Sequence, residues 1–272
     1  MHLFISDLDG TLLNRSAELS EETVIILNEL IKKGLNFTAA TARSPASIGQ
    51  ILDGLDLQLP LILMNGVLIY DPVSKGYERI HTIDPETVAE VLRLRHEMDL
   101  APFIYTMKDN VMSTHFDRLV NESMHEFYEE RVRKYRKKIT QVNRLENVSD
   151  DVIYFTFLDS RERLLPLYNK LREIGSLKLA FYPDIYIDDW YMEVFSAGAS
   201  KESGVKYLRE KYGAEKITAF GDNLNDLPMF DAADEKIAVE NAAPQLKIAA
   251  DKVIGANTDD GVAKYLREVF NG

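Results

Sequence analysis

Two aspartates two positions apart close the first apolar run of the chain: Asp7-Leu8-Asp9-Gly10-Thr11 follows Leu3-Phe4-Ile5. Residues i and i+2 of an extended chain project to the same side, so these two carboxylates are expected to converge. Close carboxylates repel unless a cation sits between them or one of them holds a proton. Phosphoryl-transfer chemistry uses both solutions. Mg²⁺ takes oxygen ligands in octahedral geometry and suits such a pair together with a substrate phosphate. One carboxylate attacks phosphorus, and the other serves as general acid and then as base. Gly10 allows the tight turn, and Thr11 can hydrogen-bond across it.

Three more polar clusters carry compatible chemistry. Lys201, in Ala199-Ser200-Lys201-Glu202-Ser203-Gly204, opens a helical pattern. An ammonium there neutralises phosphate and keeps a nucleophilic carboxylate ionised. Gly221-Asp222-Asn223-Leu224-Asn225-Asp226 follows the apolar run Ile217–Phe220. Asp222 is placed to ligate a metal and Asn225 to donate to phosphate. Asp226 is placed to orient Lys201 or the surroundings of Asp222. Thr41-Ala42-Arg43 offers a hydroxyl and a backbone N–H to a phosphoryl oxygen. Taken singly, each cluster has a plainer reading: an Asp-Gly turn, a solvated lysine, a polar helix cap, a polar strand end. Together they are stronger, because each follows a predicted strand or opens a predicted helix.

The elements that would position them alternate. Leu3–Ile5, Leu35–Ala40 and Leu61–Met64 read as buried strands, and Ser20–Lys33 and Ser44–Leu52 as helices. That is the pattern of βαβ units in a parallel sheet, where ligands bind beyond the carboxyl ends of the strands. Asp7, Thr41 and Asn65 then share one rim. The middle of the chain is a mixed, partly antiparallel pattern, with a strand pair over Leu177–Tyr182 and Tyr186–Val194. An inserted α/β domain over 84–187 is expected, splitting a core of 1–83 and 188–272. The tail returns to the first style, with helices at Lys201–Tyr212 and Val262–Phe270.

Composition bounds the rest. A chain of 272 residues buries roughly 70–75% of its unfolded surface and needs no staples. With Cys 0, disulfides, thiolate zinc sites and thiol catalysis are excluded. A net charge of −12 makes broad nucleic-acid or anionic-membrane binding a poor expectation. No segment reaches the roughly 18 apolar residues of a membrane span, and the first residues do not form a signal peptide. A cytoplasmic location is expected.

The whole set resembles the haloacid dehalogenase superfamily of Mg²⁺-dependent phosphatases, in particular its Cof-like branch, subfamily IIB. The resemblance rests on Asp-Leu-Asp-Gly-Thr-Leu-Leu at 7–13, Thr41-Ala42-Arg43, Asn65-Gly66, Lys201-Glu202-Ser203-Gly204 and Gly221-Asp222-Asn223-Leu224-Asn225-Asp226. Glu240-Asn241-Ala242-Ala243 and Asp259-Asp260-Gly261-Val262-Ala263 extend it into the tail. It implies an α/β fold with a Rossmann-like parallel-sheet core and an inserted α/β cap domain. It implies Asp7 as nucleophile, forming an aspartyl-phosphate, and Asp9 as general acid/base. Mg²⁺ would be held by Asp7, Asp222 and the backbone carbonyl of Asp9. Thr41, Lys201 and Asn225, with backbone N–H groups near Leu8 and Ala42, would hold the phosphate, supported by Asp226, Arg43 and Asn65. The family usually reads Thr-Gly-Arg where this chain has Thr41-Ala42-Arg43, so that backbone adopts ordinary φ/ψ here. The implied reaction is hydrolysis of small phosphomonoesters, sugar phosphates first, then flavin or pyridoxal phosphates. A phosphomannomutase-type transferase and a non-catalytic protein that binds a phosphorylated metabolite are the alternatives. The oligomeric state stays open.

Other features carry less. Six basic residues in Arg131–Lys138 read as a solvated helix face. The five histidines show no ligand spacing. Trp190, Tyr186, Tyr191 and Phe195 read as strand packing. Tyr182, Tyr105 and Arg43 are weak candidates for leaving-group contact.

Overall fold

The computed structural model describes residues 1–183 and 189–271, without the side chains of 134, 135 and 271. The chain forms two compact units, Met1–Arg79 with Ser200–Gly272, and Ile80–Ala199.

In the first unit His2–Ser6 is the hub of a parallel sheet. Asn36–Ala39 pairs on one side and Lys216–Gly221 on the other, followed by Glu235–Val239 and Lys252–Ile254. These strands are continuously apolar because both faces are covered: Leu3, Ile5, Phe37, Ile217 and Phe220 are all buried. A single parallel bridge, Ala40 to Ile62, brings Leu61–Leu63 alongside. The chain then turns back through Leu68–Asp71 and Gly76–Ile80, strands that the apolar pattern did not reveal.

The helices of this unit follow from their caps. Ser20 accepts the Thr23 N–H at 2.9 Å to start Glu21–Lys32, and its hydroxyl donates to Asp260 at 2.5 Å. Ser200 and Ser203 exchange bonds of 2.9 Å each to start Lys201–Tyr212. Gly204 lets that helix lie directly on Ile62, where a Cβ would come within 2.6 Å of the isoleucine side chain.

The second unit is a six-stranded sheet in the order Leu177–Pro183, Trp190–Ser196, Asp151–Asp159, Pro102–Lys108, Val111–Phe116, Ile139–Gln141. All pairs are antiparallel except the last. One face packs Phe155, Phe157, Met192 and Val194 into a core with Val91 and Leu92 of helix Pro85–Glu97 and Leu164 and Leu167 of helix Arg161–Leu171. The alternation of strand residues sends Phe103, Tyr105, Tyr154, Thr156 and Glu193 to the other face. There Phe127 of helix Glu122–Tyr135 stacks on Phe103 at 4.6 Å.

Two expectations change here. The compact insert runs over Ile80–Ala199, wider than 84–187, because Trp190–Ser196 pairs with Asp151–Asp159 and Leu177–Pro183. The expected boundary at 187/188, like Tyr186, falls outside the described residues. The basic run is not simply a solvated face: Arg131 lies 3.4 Å from the Phe127 ring centroid and Lys137 4.1 Å from that of Tyr105.

Candidate active site

Parallel strands deliver their carboxyl ends to one edge. At that edge the Asp7 N–H donates to the Phe220 carbonyl at 2.9 Å, which joins the two central strands just where their polar residues begin. Asp7 is 5% exposed and Lys201 2%. The Lys201 ammonium donates to Asp7 Oδ1 at 2.5 Å and to Asp226 Oδ1 at 2.7 Å. The other Asp226 oxygen accepts the backbone N–H groups of Asp222 and Asn223, at 3.0 and 3.1 Å. Asp226 therefore anchors the lysine and closes its own loop, with both oxygens engaged.

Asp222 faces the first loop. Thr11 Oγ1 donates to its Oδ1 at 3.0 Å. Gly10, at φ +76°, lies so close that a Cβ would sit 2.4 Å from Asp222 Oδ2. A side chain at position 10 would collide with the carboxylate, so glycine is needed for contact as well as conformation. Asn241 Nδ2 holds the Gly10 carbonyl at 2.7 Å, and Asn257 Nδ2 holds that of Leu13, also at 2.7 Å. Asn241 Oδ1 in turn accepts the Asn257 N–H at 3.0 Å. These two asparagines fix the loop that carries Asp9. The tail motif around Asn241 was visible in the sequence, but not its task.

The expected convergence of Asp7 and Asp9 does not occur at the carboxylates. The extended strand ends at Ser6, and Leu8–Leu12 is a wide helical turn, with the Leu13 N–H on the Leu8 carbonyl at 2.9 Å. The i, i+2 rule of a strand does not extend into such a turn. Asp7 meets Lys201, whereas Asp9 is half exposed and clasped by Arg43, Nε to Oδ2 at 2.7 Å and Nη2 to Oδ1 at 2.5 Å.

Thr41 is buried, and its Oγ1 accepts the Arg43 N–H at 3.1 Å. The Asn65 N–H donates to the Thr41 carbonyl at 3.0 Å, so these two loops are stitched together. Met64, Asn65 and Gly66 all have positive φ. Gly66 packs on Ser200, where a Cβ would lie 2.1 Å from the carbonyl oxygen. The Asn65-Gly66 turn thus seats the helix that presents Lys201. Ala42 and Asn225 are exposed, and the Leu8 side chain is fully buried, leaving its backbone as its only polar group.

The electrostatics are unbalanced. Oxygens of Asp7, Asp222 and Asp226 lie within 4.8 Å of one another, against the single Lys201 ammonium. Burial pushes Asp7 up to about 8, with Lys201 opposing and Asp226 adding to the rise. Burial, followed by the Asp226 charge, pushes Asp222 up to about 6. For Lys201, burial alone would lower the value, but Asp226 and Asp7 outweigh it and hold the ammonium charged. Burial and neighbouring negative charge thus favour protons on Asp7 and Asp222. An all-oxygen donor set of this kind fits a hard divalent cation, which would supply the opposing positive charge.

The haloacid dehalogenase-like hydrolases match the chain over residues 4–266. The chain is 24% identical to the 5-amino-6-(5-phospho-D-ribitylamino)uracil phosphatase YitU of Bacillus subtilis, with 99% of this chain and 98% of that protein covered. It is 29% identical to the HMP-PP phosphatase of Serratia proteamaculans, covering 96% and 92%. A haloacid dehalogenase-like hydrolase from Bacteroides thetaiotaomicron shares the fold, with a TM-score of 0.81 at 22% identity and 98% and 99% coverage. With the family match running from the first strand to the last helix, the chain belongs to the haloacid dehalogenase-like hydrolases, on their Cof-like phosphatase branch.

Proposed function

We propose that this protein hydrolyses small phosphomonoesters with Mg²⁺, through a phosphoryl group carried on Asp7. The buried Asp7–Lys201–Asp226 chain of bonds at the end of the central strand carries this reading. A lone buried carboxylate would hold a proton and be a poor nucleophile; Lys201 opposes that and aims the group, and a bound divalent cation would add the charge that favours its ionised form.

In the first half of the reaction an Asp7 oxygen bonds to phosphorus and the bond to the leaving oxygen breaks. Asp9 gives that oxygen its proton. In the second half a water oxygen bonds to phosphorus, the Asp7–phosphorus link breaks, and the Asp9 carboxylate takes the water's proton. Asp7, Asp222 and the Asp9 carbonyl would hold Mg²⁺, because both Asp226 oxygens are already engaged. When bound, the ion supplies the positive charge that lets a phosphate dianion approach the acidic cluster. Lys201, the Thr41 hydroxyl, Asn225 and the N–H groups of Leu8 and Ala42 would hold the phosphoryl oxygens.

Sugar or polyol phosphates are the substrates best supported. YitU, by its name, acts on a phosphate borne on a ribityl chain. Ile80–Ala199 would serve as the cap that chooses the leaving group, and it contains chemistry suited to a polyol. Glu193 is bonded by the Tyr154 and Tyr182 hydroxyls, and Tyr182 stacks on Tyr191 at 5.5 Å. A carboxylate and phenols among flat rings can take hydroxyl groups and sugar faces. The net charge of −12 argues against nucleic-acid partners, and no helix among the described residues is long and apolar enough to cross a membrane.

The test is acid-quenched trapping of labelled phosphate on the protein. A phosphoenzyme lost in Asp7→Asn supports the reading. Full turnover by Asp7→Asn, or undiminished activity in excess chelator, overturns it.

A further inference from the structure

The second unit carries two cations with no part in the phosphoryl chemistry above. We infer that Arg131 and Lys137 form an anion site on Ile80–Ala199, which selects phosphomonoesters whose leaving group bears a second negative charge, a carboxylate or another phosphate. This rests on the phosphatase reading, with Ile80–Ala199 as the unit that meets the leaving group.

The site is built by the end of one helix. Glu122–Tyr135 stops where Arg136 takes left-handed backbone, at φ 49°. The N–H groups of Arg136 and Lys137 both turn back onto the Arg131 carbonyl, the second at 3.1 Å. That reversal sets Lys137 beside the last turn of the helix instead of beyond it. Each cation then lies on a buried ring. Arg131 Cζ is 3.4 Å from the Phe127 centroid, and the Lys137 ammonium is 4.1 Å from that of Tyr105. The rings attract the two charges and fix where they sit.

Positive charge is in excess there. Among the described residues Lys137 has no ion pair, and Arg131 has one, with half-exposed Glu130 at 2.8 Å. Glu193, on the ring-bearing face of the sheet, does not fill the gap. Burial holds its proton more tightly than usual, and the Tyr154 and Tyr182 hydroxyls already bond it. Burial, and then the Arg131 charge, push Lys137 down to about 7. An incoming anion offsets that penalty, because it favours the charged ammonium. Lys137 is partly exposed, so a small ligand can reach it. Arg136 and Lys138 are exposed on either side and extend the positive field, in a chain whose net charge is −12. Guanidinium and ammonium are donors without acceptors, and a carboxylate or phosphate offers oxygens to both at once.

A cycle of two deletions tests this, one charge removed from the protein and one from the substrate. The substrate pairs are glucose 6-phosphate with 6-phosphogluconate, and fructose 6-phosphate with fructose 1,6-bisphosphate. Lys137→Met keeps the stem on Tyr105 and removes the charge. It is expected to lose about 10- to 100-fold more kcat/KM on the charged member of at least one pair than on its partner. Arg131→Gln should shift the same ratio in the same direction, and Lys137→Arg should keep the parental ratio. Equal losses on both members of both pairs overturn the anion site and leave the phosphatase reading standing. A second readout needs no turnover: labelling of Lys137 by trinitrobenzenesulfonate, followed by mass spectrometry at constant ionic strength. Gluconate or inorganic phosphate should slow it by about threefold once the anion reaches twice its Kd, and sorbitol should not. A lysine held by the ring and the helix end alone would be labelled at one rate in all three, and that result overturns the site. Silence on all four phosphates overturns the selection and counts against the phosphatase reading, while the labelling still judges the site.

Discussion

Gly66→Ala offers a quantitative check on how the lysine is seated. The added Cβ would lie 2.1 Å from the Ser200 oxygen, 2.5 Å from its carbon and 2.9 Å from its nitrogen. These are backbone atoms and cannot rotate away. To reach even 3.0 Å, Ser200 must retreat by about 0.9 Å. Ser200 is locked to the helix by its reciprocal bonds with Ser203, so Lys201 moves with it. A displacement near 1 Å breaks ammonium contacts of 2.5 and 2.7 Å. Misplacement on that scale costs about 100-fold in rate. Alanine at φ +92° adds about 1–2 kcal/mol of backbone strain, and overpacking adds about 1–3 kcal/mol more. The expected variant is therefore about 2–5 kcal/mol less stable in urea unfolding, with its loss in kcat rather than in KM. Gly49→Ala is the control. Its Cβ would meet nothing within 4 Å inside helix Pro45–Ile51, and it should gain up to about 1 kcal/mol. A Gly66→Ala enzyme with kcat within about twofold of the parent and an unchanged melt would refute the seating argument.

Three other perturbations probe separate parts of the molecule. Asp226→Ala strips Lys201 of one carboxylate and orphans two loop N–H groups, so unfolding should show a loss of about 3–5 kcal/mol, and a loss below about 1 kcal/mol would contradict the anchoring role. Arg95→Met removes the buried guanidinium that binds Asp117 at 2.5 Å and Glu146 at 3.1 Å within the second unit; about 3 kcal/mol is expected, since both acids retain some contact with water. His2 is held below its ordinary 6.5 by burial and then by Lys216, so the unfolded chain binds more protons there than the fold does. Stability should rise with pH through the window below 6.5 and level off above it, and His2→Gln should remove that component from the pH dependence of unfolding.

The polar ends and openings of the elements at the candidate site were legible because polar residues that bound an apolar run are conspicuous and local. Asp7, Thr41, Lys201, Asp222 and Asp226 could be named that way. The partners of Asp9 could not, because a strand rule was applied to a residue that lies in a turn beyond the strand's end at Ser6. Asn241, Asn257 and Asp260 were illegible in their roles for another reason. Each bonds a loop more than 200 positions away in the chain, and nothing in its neighbourhood distinguishes it from an ordinary turn residue. The strand at Leu68–Asp71 merged with the apolar stretch before it, and Gly76–Ile80 carries Glu78 and Arg79 on a short run with too few residues to show a period.

The pairing of His2–Ser6 has a consequence for how the molecule is made. His2 lies opposite Lys216 and Ser6 opposite Phe220, so the hub of the sheet joins segments more than 200 positions apart in the chain. At roughly 10 residues per second, about 20 seconds separate the emergence of the two strands from the ribosome. During that interval the apolar strand His2–Ser6 has one edge without its final partner, and Asp7 has no Lys201 for most of it. Ile80–Ala199 has all of its own strands in hand before Lys216 appears. The contact order of the sheet is thereby concentrated in one late closure, which makes the nascent first unit the stage at which aggregation and chaperone capture compete with folding.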